Sequence, residues 1–293
     1  MPDSKKAGTL VIIGGGEDKV EERSILREVA KLAHGKLVLA TVASEEPDGY
    51  YDEYKECFEQ LGIKELRHLY IADRAESTNE EKLKLLDGVD GVFFTGGDLL
   101  RISSQRGDTA FETRIHEIYN AGGVIAGTSA GASVMSEIML IRGSNSESHR
   151  VGDIHMAAGL KLMRNVIIDQ HFAERGRIGR LLGAVAINPR ILGIGIDEDT
   201  AIVVRGGEFY VLGSGAVYVI DGSHVNCSNI TESDSDNKRT LSIYDVRLHV
   251  MSKGDKFDIA TRQPSHAVDT EKTQKVEEIP EEPKKKSKKS AKK

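Results

Sequence analysis

Residues 122–135 read GGVIAGTSAGASVM. A short apolar run, Val124 to Ala126, meets five consecutive small residues with one serine, Ser129, in their middle. Gly127-Thr-Ser129-Ala-Gly131 has the spacing of the G-x-S-x-G nucleophile elbow. In that motif the serine sits on a sharp strand-to-helix turn with a strained backbone. Bulkier neighbours would clash with the adjacent strand and helix, which is why glycine and alanine surround it. The helix that follows is expected to aim its N-terminus at the hydroxyl, which favours developing negative charge. A glycine-rich turn with a structural serine has the same local appearance, so the partners of Ser129 have to decide.

Working outward, apolar runs alternate with helical spacing. Strands are expected at 9–13, 36–43, 66–71, 91–95 and 123–126. Helices are expected at 23–33, 51–61, 79–86 and 109–119, the first with Ile25, Val29 and Leu32 on one face. Continuous apolar strands separated by helices imply an α/β fold, a largely parallel sheet covered on both faces. After about residue 190 the pattern becomes short strands, at 194–196, 201–205, 208–212 and 216–220. Arg205-Gly-Gly-Glu208 forms a hairpin turn among them. Residues 231–240 read as a polar loop, and 241–251 add one or two more strands. These features predict one catalytic domain over 1–262 and a disordered charged tail over 263–293.

Composition narrows the classes. The 293 residues are 39% hydrophobic and 29% charged, as in an ordinary globular chain. A formal net charge of −6 argues against a general nucleic-acid binder. Residues 264–293 hold nine lysines against six acidic residues, so the body is more acidic than the whole. Cys57 and Cys227 cannot form a disulfide framework, which fits a reducing compartment. The N-terminal apolar run, Leu10 to Ile13, is too short for a signal-peptide core, and no later stretch reaches membrane-spanning length. The expected location is cytoplasmic.

A nucleophilic serine needs a base. Of nine histidines, His171 stands out. In NVIIDQHFAERGRIGR, residues 165–180, an apolar strand ends in Asp169-Gln170-His171, and open α/β sheets place their sites at strand ends. Arg175, Arg177 and Arg180 follow. They suit a substrate bearing carboxylates, since arginine forks pair with carboxylates bidentately; a solvated helix face is the plainer reading. A third group should orient the imidazole. LGIGIDEDTAIVV, residues 192–204, offers Asp197, Glu198 and Asp199, and spacing alone does not choose among them. The chain order serine, histidine, acid differs from the serine, acid, histidine of α/β-hydrolases and argues against that fold.

Two further segments matter. GGGEDK, residues 14–19, lacks the G-x-G-x-x-G spacing and carries Glu17 and Asp18 where a phosphate would be repelled. No nucleotide or other cofactor is implied. In FFTGGD, residues 93–98, a strand runs into two glycines whose N–H groups can form half of an oxyanion hole. Gly97 is the expected donor there, with the N–H of Ala130 as the other half. His149 and His155 flank Asp153, but without a HExxH or close Cys/His cluster they read as loop histidines, and no metal is expected.

Taken together, VIIGGGEDK, FFTGGD, GTSAGASVM, DQHFAERGRIGRL and GIGIDEDTAIVV resemble the cyanophycinases, serine peptidases related to aspartyl dipeptidases. The resemblance runs from about residue 8 to 260 and has all five segments in the family's order. It implies a three-layer α/β sandwich like the class I glutamine amidotransferase (flavodoxin-like) domains, here with a C-terminal β extension. It implies Ser129 as nucleophile, His171 as base and Glu198 as acid, and Asp169, Gln170, Arg175, Arg177 and Arg180 in the substrate pocket. The implied substrate is cyanophycin, a poly-aspartate whose side-chain carboxyls each carry an arginine, cut to β-Asp-Arg dipeptides. Members are often dimers, so a homodimer is expected; no nucleic-acid or membrane partner is. One departure is Leu99, where many members carry glutamine after the TGGD segment. The alternatives are an α-aspartyl dipeptidase, an inactive binding module of the same fold, and an amidotransferase domain. The last would need a cysteine at the elbow.

Overall fold

The computed structural model describes residues 7–142, 154–231 and 239–266. The first half comprises β1 (Thr9–Ile13), α1 (Ser24–Leu32), β2 (Lys36–Ala40), α2 (Pro47–Gln60), β3 (Glu65–Leu69), α3 (Glu80–Leu83), β4 (Gly91–Phe94), α4 (Leu99–Arg106), α5 (Ala110–Asn120), β5 (Val124–Thr128) and α6 (Ala130–Ser133). The second half begins with β6 (Ile138–Arg142), β7 (His155–Ala158), β8 (Val166–Gln170), α7 (Ile178–Ile187), β9 (Leu192–Ile196), β10 (Thr200–Arg205) and β11 (Glu208–Gly213). It closes with β12 (Val217–Asp221), β13 (Cys227–Ser228), β14 (Ile243–Tyr244), β15 (Arg247–Met251), β16 (Lys256–Asp258) and β17 (Gln263–Ser265).

Alternation within β1 explains the layers. Leu10 and Ile12 enter one core and Val11 and Ile13 the other, so both sheet faces must be covered. α1 and α2 cover one face through Ile25, Leu26, Val29, Tyr54 and Phe58. Ile102, Phe111 and Ile115 of α4 and α5 cover the other. The large sheet has the order β17-β16-β11-β10-β1-β5-β4-β2-β3. Its half from β1 to β3 is parallel, and the rest is an antiparallel C-terminal extension. The α/β class and the β extension expected from the sequence are both present.

A second sheet, β15-β12-β9-β8, was not foreseen as separate. Its Ile168, Ile194 and Ile196 join the core beneath β1, while Ile167 packs with Leu181 and Val185 of α7 on its far side. The sequence cannot show this split, because a buried strand reads alike in either sheet. The parallel pair β8 and β9 thus brings its C-terminal ends up beside those of β1 and β5. Ser129, His171 and Glu198 lie along that seam, and Gly97 lies on the loop after β4.

Several boundaries shifted for local reasons. The helix expected over 79–86 is one α turn, α3, followed by the 3-10 turn Lys84–Leu86. Asn79 caps it, its side chain accepting from the N–H of Glu81 at 2.9 Å. α2 starts four residues early, with Pro47 in its first turn where a missing N–H costs nothing. α4 and the β6–β7 hairpin were not read from the sequence. β17 pairs with β16, so the sheet extends to Ser265, into the segment assigned to the tail. Residues 267–293, His149, Asp153 and most of the polar loop, 232–238, lie outside the described residues; His155 lies in β7 and is exposed. Among the described residues, no helix is long and apolar enough to cross a membrane.

Candidate active site

β5 ends at Thr128, and Ser129 turns with φ 54° and ψ −115°. A positive φ on a non-glycine residue costs on the order of 1–3 kcal/mol and persists only where its surroundings enforce it. Here the Ser129 N–H donates to the Ile13 carbonyl across the β1–β5 edge at 3.1 Å. The flanking glycines are steric necessities. A Cβ on Gly127 would lie 2.3 Å from the Gly131 carbonyl oxygen, and one on Gly131 would lie 2.4 Å from that of Phe94 in β4. The helix expected after the serine is the single turn α6. The site therefore offers individual N–H groups rather than the dipole of a long helix.

His171 follows the last residue of β8, with φ 45° and 8% exposure. Its N–H donates to the Gly14 carbonyl at 2.7 Å, which ties it to the end of β1. The Ser129 hydroxyl lies 3.0 Å from His171 Nε2, and His171 Nδ1 lies 2.5 Å from Glu198 Oε1. The result is one chain, Ser129 to His171 to Glu198. Of the three clustered acids, Glu198 alone reaches the imidazole. The Asp197 carboxylate accepts from the N–H groups of Ala173 and Ala216 at 2.9 and 3.1 Å. Asp199 accepts from the Asp18 N–H at 3.0 Å and the Ser214 hydroxyl at 2.6 Å. Both are loop fasteners, a distinction that spacing could not make.

Sequence reasoning missed the role of Gly14-Gly15-Gly16. Gly15 has φ +102°, and a Cβ there would lie 2.2 Å from His171 Cε1. A Cβ on Gly16 would lie 2.8 Å from Glu198 Oε2. The run that reads as a weak phosphate loop is a bare floor beneath the imidazole and its acid. The available signal was a glycine triplet at the end of a fully buried central strand, a position close to whatever the neighbouring strands carry.

FFTGGD places its glycines beside the serine. A Cβ on Gly96 would be 3.4 Å from Ser129 Cβ. Gly97 is exposed, with φ +144° and its backbone against the Ala43 carbonyl. Among the described residues the N–H groups of Gly97 and Ala130 have no hydrogen-bond acceptor. Leu99 begins α4 half-buried and packs against the core.

The arginine segment is arranged differently from a row of forks open to ligand. Asp169 is 1% exposed and accepts from Arg180 Nε at 2.6 Å and, in a second contact, from Arg180 Nη2. Arg177 Nη1 reaches the same carboxylate at 3.3 Å and Gln170 Oε1 at 2.8 Å. Arg177 and Arg180 are both buried. Buried charges demand such pairing, so these guanidiniums are engaged largely by an internal carboxylate. Burial pulls the Arg177 guanidinium down to about 10 against the opposing pull of Asp169. Arg177 Nε is buried with no partner among the described residues, and Arg175 is exposed. Neither a free arginine row nor a solvated helix face describes the segment.

Burial holds the His171 pKa below its ordinary value, with repulsion from Arg175 and Arg177 adding to it; Glu198 pulls the other way. A general base must be neutral. Activity is therefore expected to be full near neutrality and to fall only as pH drops through the lowered value, with a midpoint under ~6.5. Removing the Arg175 charge should move that midpoint upward. A pH profile of kcat/KM for wild type and Arg175→Ala checks both; a midpoint above the ordinary histidine value would contradict the buried, neutral base.

Fold and site together fit a serine peptidase on an α/β framework, with the Ser129–His171–Glu198 chain in an order foreign to the α/β-hydrolases. Comparison with known proteins agrees. The chain belongs to peptidase family S51, whose model matches residues 10–212. It is 39% identical over 272 residues to a cyanophycinase of Trichormus variabilis, covering 91% of this chain and 90% of that one. It is 37% identical over 264 residues to a cyanophycinase of Synechococcus elongatus, covering 88% and 81%. A cyanophycinase of Geminocystis herdmanii is 36% identical over 261 residues, covering 87% and 95%. The family resemblance carried by the five segments is thus borne out. The crystal structure of a peptidase from an acI-B1 Actinobacterium superposes with a TM-score of 0.65 at 20% identity, over 87% of this chain and 98% of that one, a likeness of fold.

Proposed function

We propose that this chain is an exopeptidase that hydrolyses the aspartyl backbone of cyanophycin and releases β-Asp-Arg dipeptides. The observation that carries the reading is the hydrogen-bonded chain Ser129–His171–Glu198 in a protein whose curated relatives, aligned over most of its length, are cyanophycinases. His171 takes the Ser129 proton as Oγ attacks an aspartyl carbonyl carbon. The N–H groups of Gly97 and Ala130 hold the oxyanion. The intermediate collapses, the C–N bond breaks, and His171 gives its proton to the leaving amine. Water, deprotonated by His171, then cleaves the acyl-serine and restores the hydroxyl. Glu198 orients the imidazole and stabilises the imidazolium.

Substrate recognition in this reading uses both charges of the arginyl side chains. A cavity of about 540 Å³ beside Gly97 is lined by Glu45, Glu46, Tyr50 and Asp98, whose carboxylates suit guanidinium groups. The exposed Arg175 suits the arginyl α-carboxylates, while Asp169, Gln170, Arg177 and Arg180 form the buried, internally paired base of that segment. In this proposal the enzyme works in the cytoplasm, as one catalytic domain and as a homodimer. Incubation with isolated cyanophycin and mass spectrometry of the soluble fraction is expected to show β-Asp-Arg as the main product. No release from the polymer, with turnover of short Asp-X peptides, would replace this reading with an aspartyl dipeptidase.

A further inference from the structure

Among the buried acids that the catalytic scheme leaves unused, one grips the residue before Ser129. Glu17, the fourth residue after β1, is 4% exposed. Its Oε2 accepts from the Thr128 hydroxyl at 2.6 Å, and its Oε1 accepts from the Tyr54 hydroxyl. Thr128 is the residue immediately before Ser129. Tyr54 is anchored in the core against Phe58 and Phe93, at ring-centroid distances of 6.3 and 4.9 Å. The carboxylate therefore joins a rigid point of α2 to the last residue of β5. Burial and the nearby Glu17 charge push the Tyr54 phenol pKa up, so it remains a donor.

The rest of the same loop reaches the other two members. The Gly14 carbonyl accepts from the His171 N–H at 2.7 Å, and the Gly15 carbonyl accepts from the Asp199 N–H, next to Glu198, at 2.8 Å. The Asp18 N–H donates to Asp199. Asp18 in turn accepts from the N–H groups of Val20, Glu21 and Arg23, closing the loop on itself. One five-residue segment thus holds the chain beside Ser129, His171 and Glu198 together. Of these ties, the one toward the serine runs between two side chains, Glu17 and Thr128, so it can be removed without touching the backbone.

We infer that Glu17 is a positioning residue for the nucleophile. By gripping Thr128 it fixes the end of β5 and holds Ser129 in its strained conformation with Oγ toward His171. A strained turn relaxes unless its neighbours enforce the geometry. A displacement of the reacting atom by about 1 Å lowers turnover by about 10²-fold even where no contact to substrate is lost. The inference rests on Ser129 being the nucleophile, and its test separates the two.

Thr128→Val keeps the shape of the side chain and removes the donor to Glu17. Its kcat is expected to fall about 10- to 100-fold with KM unchanged. Phosphonylation of Ser129 by a serine-directed fluorophosphonate, with loss of fluoride, should slow in parallel, read by intact-protein mass. Thr128→Ser restores the hydroxyl and should recover most of both. Glu17→Gln should slow labelling too, and combining it with Thr128→Val should add little, because both cut the same tie. Tyr54→Phe, which leaves the ring packing in place, gives a second handle if the valine variant does not fold, and its labelling should also slow. Wild-type protein that resists labelling at Ser129 would remove the nucleophile assignment itself. Wild-type labelling rates in folded Thr128→Val or Tyr54→Phe, with Ser129 labelled normally, would overturn the role of Glu17 alone.

Discussion

Ser129→Ala is expected to cut hydrolysis of the polymer severely, lowering kcat by about 10³-fold or more while leaving the fold intact. The size of the loss follows from the chemistry. Without the hydroxyl no acyl-serine forms, and His171 is left holding a water against the carbonyl. The oxyanion donors and the binding surface remain, so a small residual rate is expected rather than none. The substitution itself is sterically benign, because it only removes an oxygen from a half-buried side chain. Alanine does not relieve the positive φ, so thermal stability should change little. Soluble dipeptide release, followed by mass spectrometry, is the measurement. Turnover near the wild-type rate would place the nucleophile elsewhere. A variant that still binds cyanophycin granules but does not degrade them would separate binding from chemistry.

Gly15→Ala should be almost as damaging, although Gly15 itself supplies no group to the chemistry. Two costs coincide there. The φ of +102° disfavours any L side chain. The new methyl would also lie 2.2 Å from His171 Cε1 and 2.5 Å from Nε2. The imidazole is pinned by Glu198 on one side and by burial on the others, so it cannot yield without leaving Ser129 or its acid. A loss of about 10²-fold or more in kcat is expected, together with about 1–3 kcal/mol of stability. Gly206→Ala is the matched control. Gly206 also has a positive φ, +62°, but nothing lies within 4 Å of its Cβ position. It should cost some stability and no activity. If Gly15→Ala keeps full kcat, the glycine triplet is not the floor of the site.

These two variants also mark what the sequence could and could not tell. The elbow was legible because its requirements are local: small residues at fixed spacing around one serine, after an apolar run. His171 was legible because a strand end is a privileged position in an α/β fold. The acid was only half legible. Three carboxylates in a row are alike in sequence, and what separates them is which backbone N–H groups Asp197 and Asp199 meet across the loops. The family resemblance supplied that choice, and the geometry agrees with it. The role of Gly14 to Gly16 was not legible because its justification is non-local; the groups that would strike a side chain lie more than 150 residues away. The arginines were legible only in part. Their spacing shows three cations, but not that Asp169 sits underneath, held on a strand where two of them turn inward.

The seam between the two sheets has a consequence for how the protein comes into being. Ser129 belongs to the large sheet, while His171 and Glu198 hang from the small one, 42 and 69 positions further along. No local folding unit holds the complete set. A chain emerging from the ribosome exposes its nucleophile long before it can make the base and acid, and the three meet only when β8 and β9 dock beneath β1. Peptidase activity is then expected to be a late product of folding, dependent on tertiary docking. Long-range closure of this kind is slow compared with local structure formation. On this topology, activity is expected to appear later in refolding than helical and sheet structure does, which refolding followed by circular dichroism and by dipeptide release would check.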